Sequence, residues 1–242
     1  MTILKIIGGL ILFVLLIVGY FSYELYSNRY DAKFRLTVNV EVDGKIHSGS
    51  SVVEVQWTRT ISMFRGLSPG YSKKVMGEAV LVDLGKHGVL LTLLRRYSRT
   101  EILPKPRHVF DIPMRAFYRN KQQSRSKRSI KIPEAFARMR SLDDEKTKRT
   151  LAPDNLPMFV LLPDVRDRDS AFPVNPQKFE QDIAPGVKFI SAEIELTRDP
   201  ITYHLAGELP WFAALKIEEA SGLRIGRNFF ELTVYQLTGG SS

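Results

Sequence analysis

The chain has no cysteine among its 242 residues. That excludes disulfides and every metal or redox site that needs a thiolate, on either side of a membrane. Histidine is sparse as well: His47, His87, His108 and His204 stand far apart, and none forms H-x-x-x-H or H-E-x-x-H. Zinc sites built on one helix face are thereby excluded. Neither an internal repeat nor a βαβ alternation is present, which argues against solenoids and doubly wound sheets. Acidic residues are in the minority, 26 against 35 Lys and Arg, for a net charge of +9. No cofactor is expected, and no residue stands out as catalytic.

What is present begins with "KIIGGLILFVLLIVGYFSYELY", residues 5–26. Residues 6–23 are 18 positions without a charge. As a helix they would extend about 27 Å, close to the hydrocarbon thickness of a bilayer. Ile6, Leu12, Phe13 and Leu16 would face lipid tails, with Tyr20 and Tyr23 at headgroup depth, where a phenol ring is buried and its hydroxyl wet. Cleavage near Gly19 or Ser22 competes with this reading. The run is longer than a signal-peptide core, and bulky Tyr20, Phe21, Tyr23, Leu25 and Tyr26 follow it, so it reads as a retained anchor. Gly8, Gly9 and Gly19 do not form GxxxG.

Orientation is set by opposing signals. Lys5 and the amino terminus are positive before the run; Arg29, Lys33 and Arg35 are positive after it, partly offset by Glu24 and Asp31. Counting Lys and Arg leans toward a cytoplasmic body, whereas a short basic start before an apolar run is usual for exported, N-terminally anchored chains. The second signal is favoured, which places the body on the exported side.

Residues 27–33 read as a juxtamembrane linker, and 34–242 as one β-rich domain. In "FRLTVNVEVDGKIHSGSSVVEVQW", Phe34, Leu36, Val38, Val40 and Val42 alternate with polar residues, the period of a half-buried strand. Asp43-Gly44 suits a tight hairpin turn, and a second strand returns over residues 46–57, where Gly49 marks a bulge or bend. "GEAVLVDL" and "VLLTLLRR" form a second hairpin around residues 85–88; their unbroken apolar character predicts a sheet covered on both faces. Further strands are expected at 157–162, 187–196 and 229–237. Helices are expected from Pro133-Glu134 toward Arg149, after the Asn175 cap, and over 211–220. The fold class is α+β, an antiparallel β-rich domain with a few short helices behind an N-terminal transmembrane helix.

"RLTVNVEVDGKIHSGSSVVEV", "GEAVLVDL", "LPMFVLLPDVRDRDSAFPVNP", "PGVKFISAEIELTRDPIT" and "LPW", in that order across residues 34–212, resemble an uncharacterised family of alphaproteobacterial proteins with no assigned activity. The resemblance implies a bacterial source; taken with the anchor and the favoured export, the expected location is the inner membrane with a periplasmic body. It implies no site residues.

Residues 115–149 hold twelve Lys or Arg against four acids, a balance of +8 that is nearly the whole excess of the chain. They read as a basic insertion, a solvated loop leading into a helix. Arg119, Lys121, Arg125, Lys127, Arg128 and Lys131 are its candidate contacts to an anionic partner, a lipid surface or polymer. Nucleic acid is less well served, because only Phe117 and Tyr118 could stack on bases. Ser124 and Lys127 form S-x-x-K, but a solvated basic loop cannot desolvate the lysine as a nucleophile pair requires. Asp164, Asp167 and Asp169 alternate with Arg166 and Arg168, which suits a turn better than a calcium loop. Residues 208–212, "ELPWF", read as core packing. The chain is expected to be a membrane-tethered binding or scaffold module in an envelope assembly. The alternatives are an envelope hydrolase with a site assembled by the fold, and a cytoplasm-facing module docking lipid or nucleic acid.

Overall fold

A computed structural model describes residues 2–27, 29–59, 70–96, 107–108, 111–118, 132–143, 147–215 and 237. Helix α1 (Thr2–Ser27) opens the chain, and strand β1 (Arg29–Val42) follows after a single residue. β1 alternates between a covered and a polar face as its sequence does, with Phe34, Leu36, Val38, Val40 and Val42 buried. Asp43 and Gly44 take φ of +50° and +80°, and the chain returns as β2 (Lys45–Arg59). Positive φ at both central residues matches the right-handed twist of the flanking strands.

Short elements follow: β3 (Tyr71–Met76), β4 (Val80–Asp83), β5 (Val89–Thr92), β6 (Arg95–Arg96) and β7 (Arg107–His108). Next come α2 (Ile112–Phe117), α3 (Ile132–Asp143) and β8 (Lys148–Thr150), then β9 (Phe159–Leu162) and β10 (Phe172–Val174). The last are α4 (Phe179–Asp182), β11 (Val187–Leu196) and α5 (Leu205–Glu208). All pairings are antiparallel: a five-stranded sheet in the order β3-β2-β1-β11-β8, a four-stranded sheet β10-β9-β5-β4, and the pair β6-β7. The body is thus α+β and β-rich, as its patterning predicts.

The two sheets stack through β2 and β4. The main core lies between them, joining the inward residues of β1, β2 and β11 to Val80, Val82, Leu90, Phe159 and Leu161, with α2 and α3 closing one side. A second core covers the far face of the four-stranded sheet, where Leu91, Val160 and Leu162 meet Leu205, Leu209 and Phe212. Neighbours in β5 therefore point into different cores, and all four of its residues are buried. Each fully covered leucine contributes about 1.5–3 kcal/mol. The unbroken apolar runs are the direct consequence of this double covering.

Several expectations need correction. Residues 29–33, expected as linker, are the first rungs of β1, paired from Arg29↔Thr58 to Lys33↔Glu54. Gly49 carries no bulge, since β1 and β2 stay in register through Val38↔Gly49. The irregularity is on the other edge of β1, where β11 gains the extra residue Ile190 between Ser191↔Asn39 and Phe189↔Val40. The helix expected to reach Arg149 ends at Asp143, and Lys148–Thr150 is a strand, because β11 offers it an open edge. Phe212–Leu215 is helical, while 216–220 lie outside the described residues. Of the expected strand 229–237 only Leu237 is described, and it is helical. Among the described residues no helix is long and apolar enough to cross a membrane. Within α1 the side chains described without a break are residues 7–20, about 21 Å of rise, and all are exposed.

Candidate functional site

The outward face of the five-stranded sheet is polar, and part of it is concave. An open cleft of about 480 Å³ is lined by Arg35, Thr37, Ser48, Gly49, Ser50, Lys148, Glu195 and Asp199. Register explains the assembly. Odd residues of β1 point outward, and Thr37 sits opposite Ser50 on one side and Glu193 on the other. Arg35 stands beside Glu195, which in turn faces Lys148 on β8.

Charge is paired within the cleft. Arg35 donates from its guanidinium to Asp199. Lys148 Nζ lies 2.5 Å from Glu193 Oε2, and donation to that carboxylate, reinforced by its charge, raises the lysine above its ordinary range. Beside these pairs a hydrogen-bond chain crosses three strands: Ser48 Oγ donates to Asn39 Oδ1 at 2.6 Å, and Asn39 Nδ2 donates to Ser191 Oγ at 2.9 Å. The cleft offers hydroxyls, carboxylates and cations to a polar ligand. Of its two carboxylates, Asp199 is paired with Arg35, and Glu195 lies opposite Lys148 in register.

A second polar group is buried. The side chain of Glu78 is 1% exposed, and its Oε2 accepts from the backbone N–H of His204 at 2.6 Å and of Leu205 at 2.7 Å. It satisfies donors at the start of α5, which has no cap of its own. Ser51 Oγ donates to the Glu78 carbonyl at 2.7 Å. Where β3 stops, Thr202 continues the edge of β2: Val52 N–H donates to Thr202 Oγ1 at 2.9 Å and Thr202 N–H to Val52 O at 3.1 Å.

The anion-contact candidates Arg119, Lys121, Arg125, Lys127, Arg128 and Lys131 lie outside the described residues, as does Ser124. Of the anchor residues, Leu12, Phe13, Leu16 and Tyr20 are exposed by 60–64%. The side chains of Ile6 and Tyr23 are outside the description. Asp164 and Asp167 accept from the N–H groups of Arg166 and Asp169, so they form turns between β9 and β10. His47 Nδ1 is 2.7 Å from the Asp83 carbonyl, and among the described residues no three potential ligands gather as a metal site. Leu209 and Phe212 are fully buried, as core packing requires.

The sequence does not single out the cleft residues. Arg35, Thr37 and Asn39 form the polar half of a strand pattern, which reads as a solvent face, and Lys148 falls where a helix is expected. No protein-family model, curated protein or solved structure matches the chain. Fold and cleft define the class: an antiparallel, β-rich α+β protein with a polar surface cleft.

Proposed function

We propose that this protein is a single-pass, membrane-anchored binding or scaffold module of a bacterial envelope, with its body on the periplasmic side of the inner membrane. One observation carries the anchor. Apolar side chains of α1 from Ile7 through Val18, including the consecutive residues 10–18, are 41–64% exposed. Nothing lies within 4 Å of the positions that side chains on Gly8, Gly9 and Gly19 would occupy. At about 1.5–3 kcal/mol per large apolar side chain, keeping ten of them in water costs roughly 15–30 kcal/mol. A surface that covered them would recover up to that much, so the helix favours a cover. A protein partner would cover one stripe; a bilayer covers every face, and a helix satisfies its own backbone there.

The short basic amino terminus supports export, and the resemblance of residues 34–212 to an alphaproteobacterial family supports a bacterial source. The cleft beside Arg35 and Lys148 is the proposed ligand surface. Alkaline carbonate washing of membranes tests the anchor. The full chain should stay in the pellet with its amino terminus intact; release into the supernatant, or a mature start between Gly19 and Asn28, would overturn it. A C-terminal reporter active only outside the cytoplasm should be active.

A further inference from the structure

We infer that the end of the five-stranded sheet nearest α1 is a docking surface for anionic phospholipid headgroups. The inference rests on α1 being an anchor. Only Asn28 separates the end of α1 at Ser27 from the start of β1 at Arg29, so no linker holds the body away from the bilayer. With Tyr23 at headgroup depth, the first rungs of β1 and the strand ends paired to them begin six residues further on, about 9 Å at helix rise.

That end is basic. The strands contribute Arg29, Lys33, Arg59, Lys73 and Lys74, all at rungs within residues 29–33, 54–59 and 71–74. Helix α3 adds Arg138 and Arg140, and it packs here: the Phe136 ring is 5.8 Å from that of Tyr30. The acids of these segments are Asp31, Glu54, Glu134 and Asp143, so the balance is +3. Arg59, Lys74 and Arg140 are exposed.

The opposite end is close to neutral. Glu41, Asp43, Asp83, Glu180 and Asp182 stand against Lys45, Lys86, Lys178 and Lys188 around the Asp43-Gly44 turn, α4 and the start of β11, a balance of −1. Fourteen residues of β1 separate the two ends, about 43 Å at strand rise. That is several Debye lengths at physiological ionic strength, so a charged leaflet acts on the basic end alone. Aromatic rings also meet at this end. Tyr30, Trp57 and Tyr71 form a ring cluster at 6.0–6.4 Å, and Lys73 Nζ lies 4.3 Å over Trp57. Lys and Arg close to an anionic leaflet are attracted to it, and aromatic residues suit headgroup depth.

The absence of native cysteine allows a clean test. The full chain carrying Ser72→Cys on β3, or Lys45→Cys beside the distal turn, is spin-labelled and placed in nanodiscs. The discs are phosphatidylcholine alone or with one-third phosphatidylglycerol. Collision with a water-soluble nickel reagent reports how open each label is. At the Ser72→Cys position it should fall at least about twofold in anionic discs and recover in high salt, as expected for a screened contact. At the Lys45→Cys position it should not change. Adding Arg59→Ser, Lys74→Ser and Arg140→Ser should abolish the lipid effect at Ser72→Cys while the chain stays in the discs. Indifference of that label to lipid charge, an equal change at the distal label, or an effect that survives the triple change would overturn docking and leave the anchor standing. A chain washed out of the discs by carbonate would overturn both.

Discussion

Only a hydrogen atom fits between Gly49 and the β4 backbone. A Cβ at this position would lie 2.0 Å from the Leu81 carbonyl oxygen and 2.8 Å from its carbon. Both atoms are backbone, so no side chain can give way, and the two sheets would have to part. Gly49→Ala is expected to cost about 3 kcal/mol, at the upper end for overpacking, in urea melts of the detergent-solubilised chain. Gly207→Ala is the control, because nothing lies within 4 Å there and the residue is helical. It should be neutral or gain up to about 1 kcal/mol. A loss under about 1 kcal/mol at Gly49 would contradict the close approach. Glu78 is the second residue on which the packing depends. Glu78→Ala strands two N–H groups at the start of α5 and should cost about 3 kcal/mol or more. Glu78→Gln retains an acceptor oxygen without the charge and should cost less; equal losses would mean that acceptance by Oε2 is unimportant.

At the scale of elements, the β1–β2 turn is fixed by its own chemistry and by one long-range ion pair. Lys86 Nζ lies 2.9 Å from Asp43 Oδ2, and donation to the Asp43 carboxylate, with its opposite charge, holds that group below its ordinary range. A lowered folded-state value means that the pair stabilises above the ordinary aspartate range. The contribution is lost as pH falls through the folded value. Melting temperatures of wild type and Lys86→Ala should therefore differ at pH 6 and converge toward pH 2. A difference that persists at pH 2 would show that Lys86 acts through packing. The turn dipeptide itself is legible because positive φ is demanded at two adjacent residues, and few dipeptides accept it. Strand β8 is not legible. Lys148–Thr150 is exposed throughout, and only the open edge of β11 makes it a strand.

For the molecule as a whole, the four-stranded sheet is the middle layer. Leu90 enters the core shared with the five-stranded sheet, and Leu91 enters the one closed by residues 205–215; both are 0% exposed. Leu90→Ala and Leu91→Ala should each cost about 2–5 kcal/mol by denaturant melting. A loss under 1 kcal/mol at Leu91 would mean that the C-terminal layer is not seated. The same arrangement gives the molecule a direction. A basic end adjoins α1 and a nearly neutral end lies some 43 Å away along β1, an asymmetry that net charge alone conceals.

The sequence by itself determined what short-range physics controls. Alternation in residues 34–42 reports one covered face, the continuous runs around residues 80–92 report two, and the Asn175 side chain caps the turn that follows it, accepting from Gln177 N–H at 3.0 Å. The span of β11, residues 187–196, was readable for the same reason. Only the tertiary structure decided what covers each face and which polar residues meet. The Arg35–Asp199 pair joins residues 164 apart, and Glu78 reaches the start of α5 across 126. A hydrophobic period records that a side is buried and carries no information on the element that buries it. A polar strand face reads alike whether it meets bulk water or lines a cleft. The candidate site lies on such a face, and it emerged only when β8 and the segment after β11 closed around it.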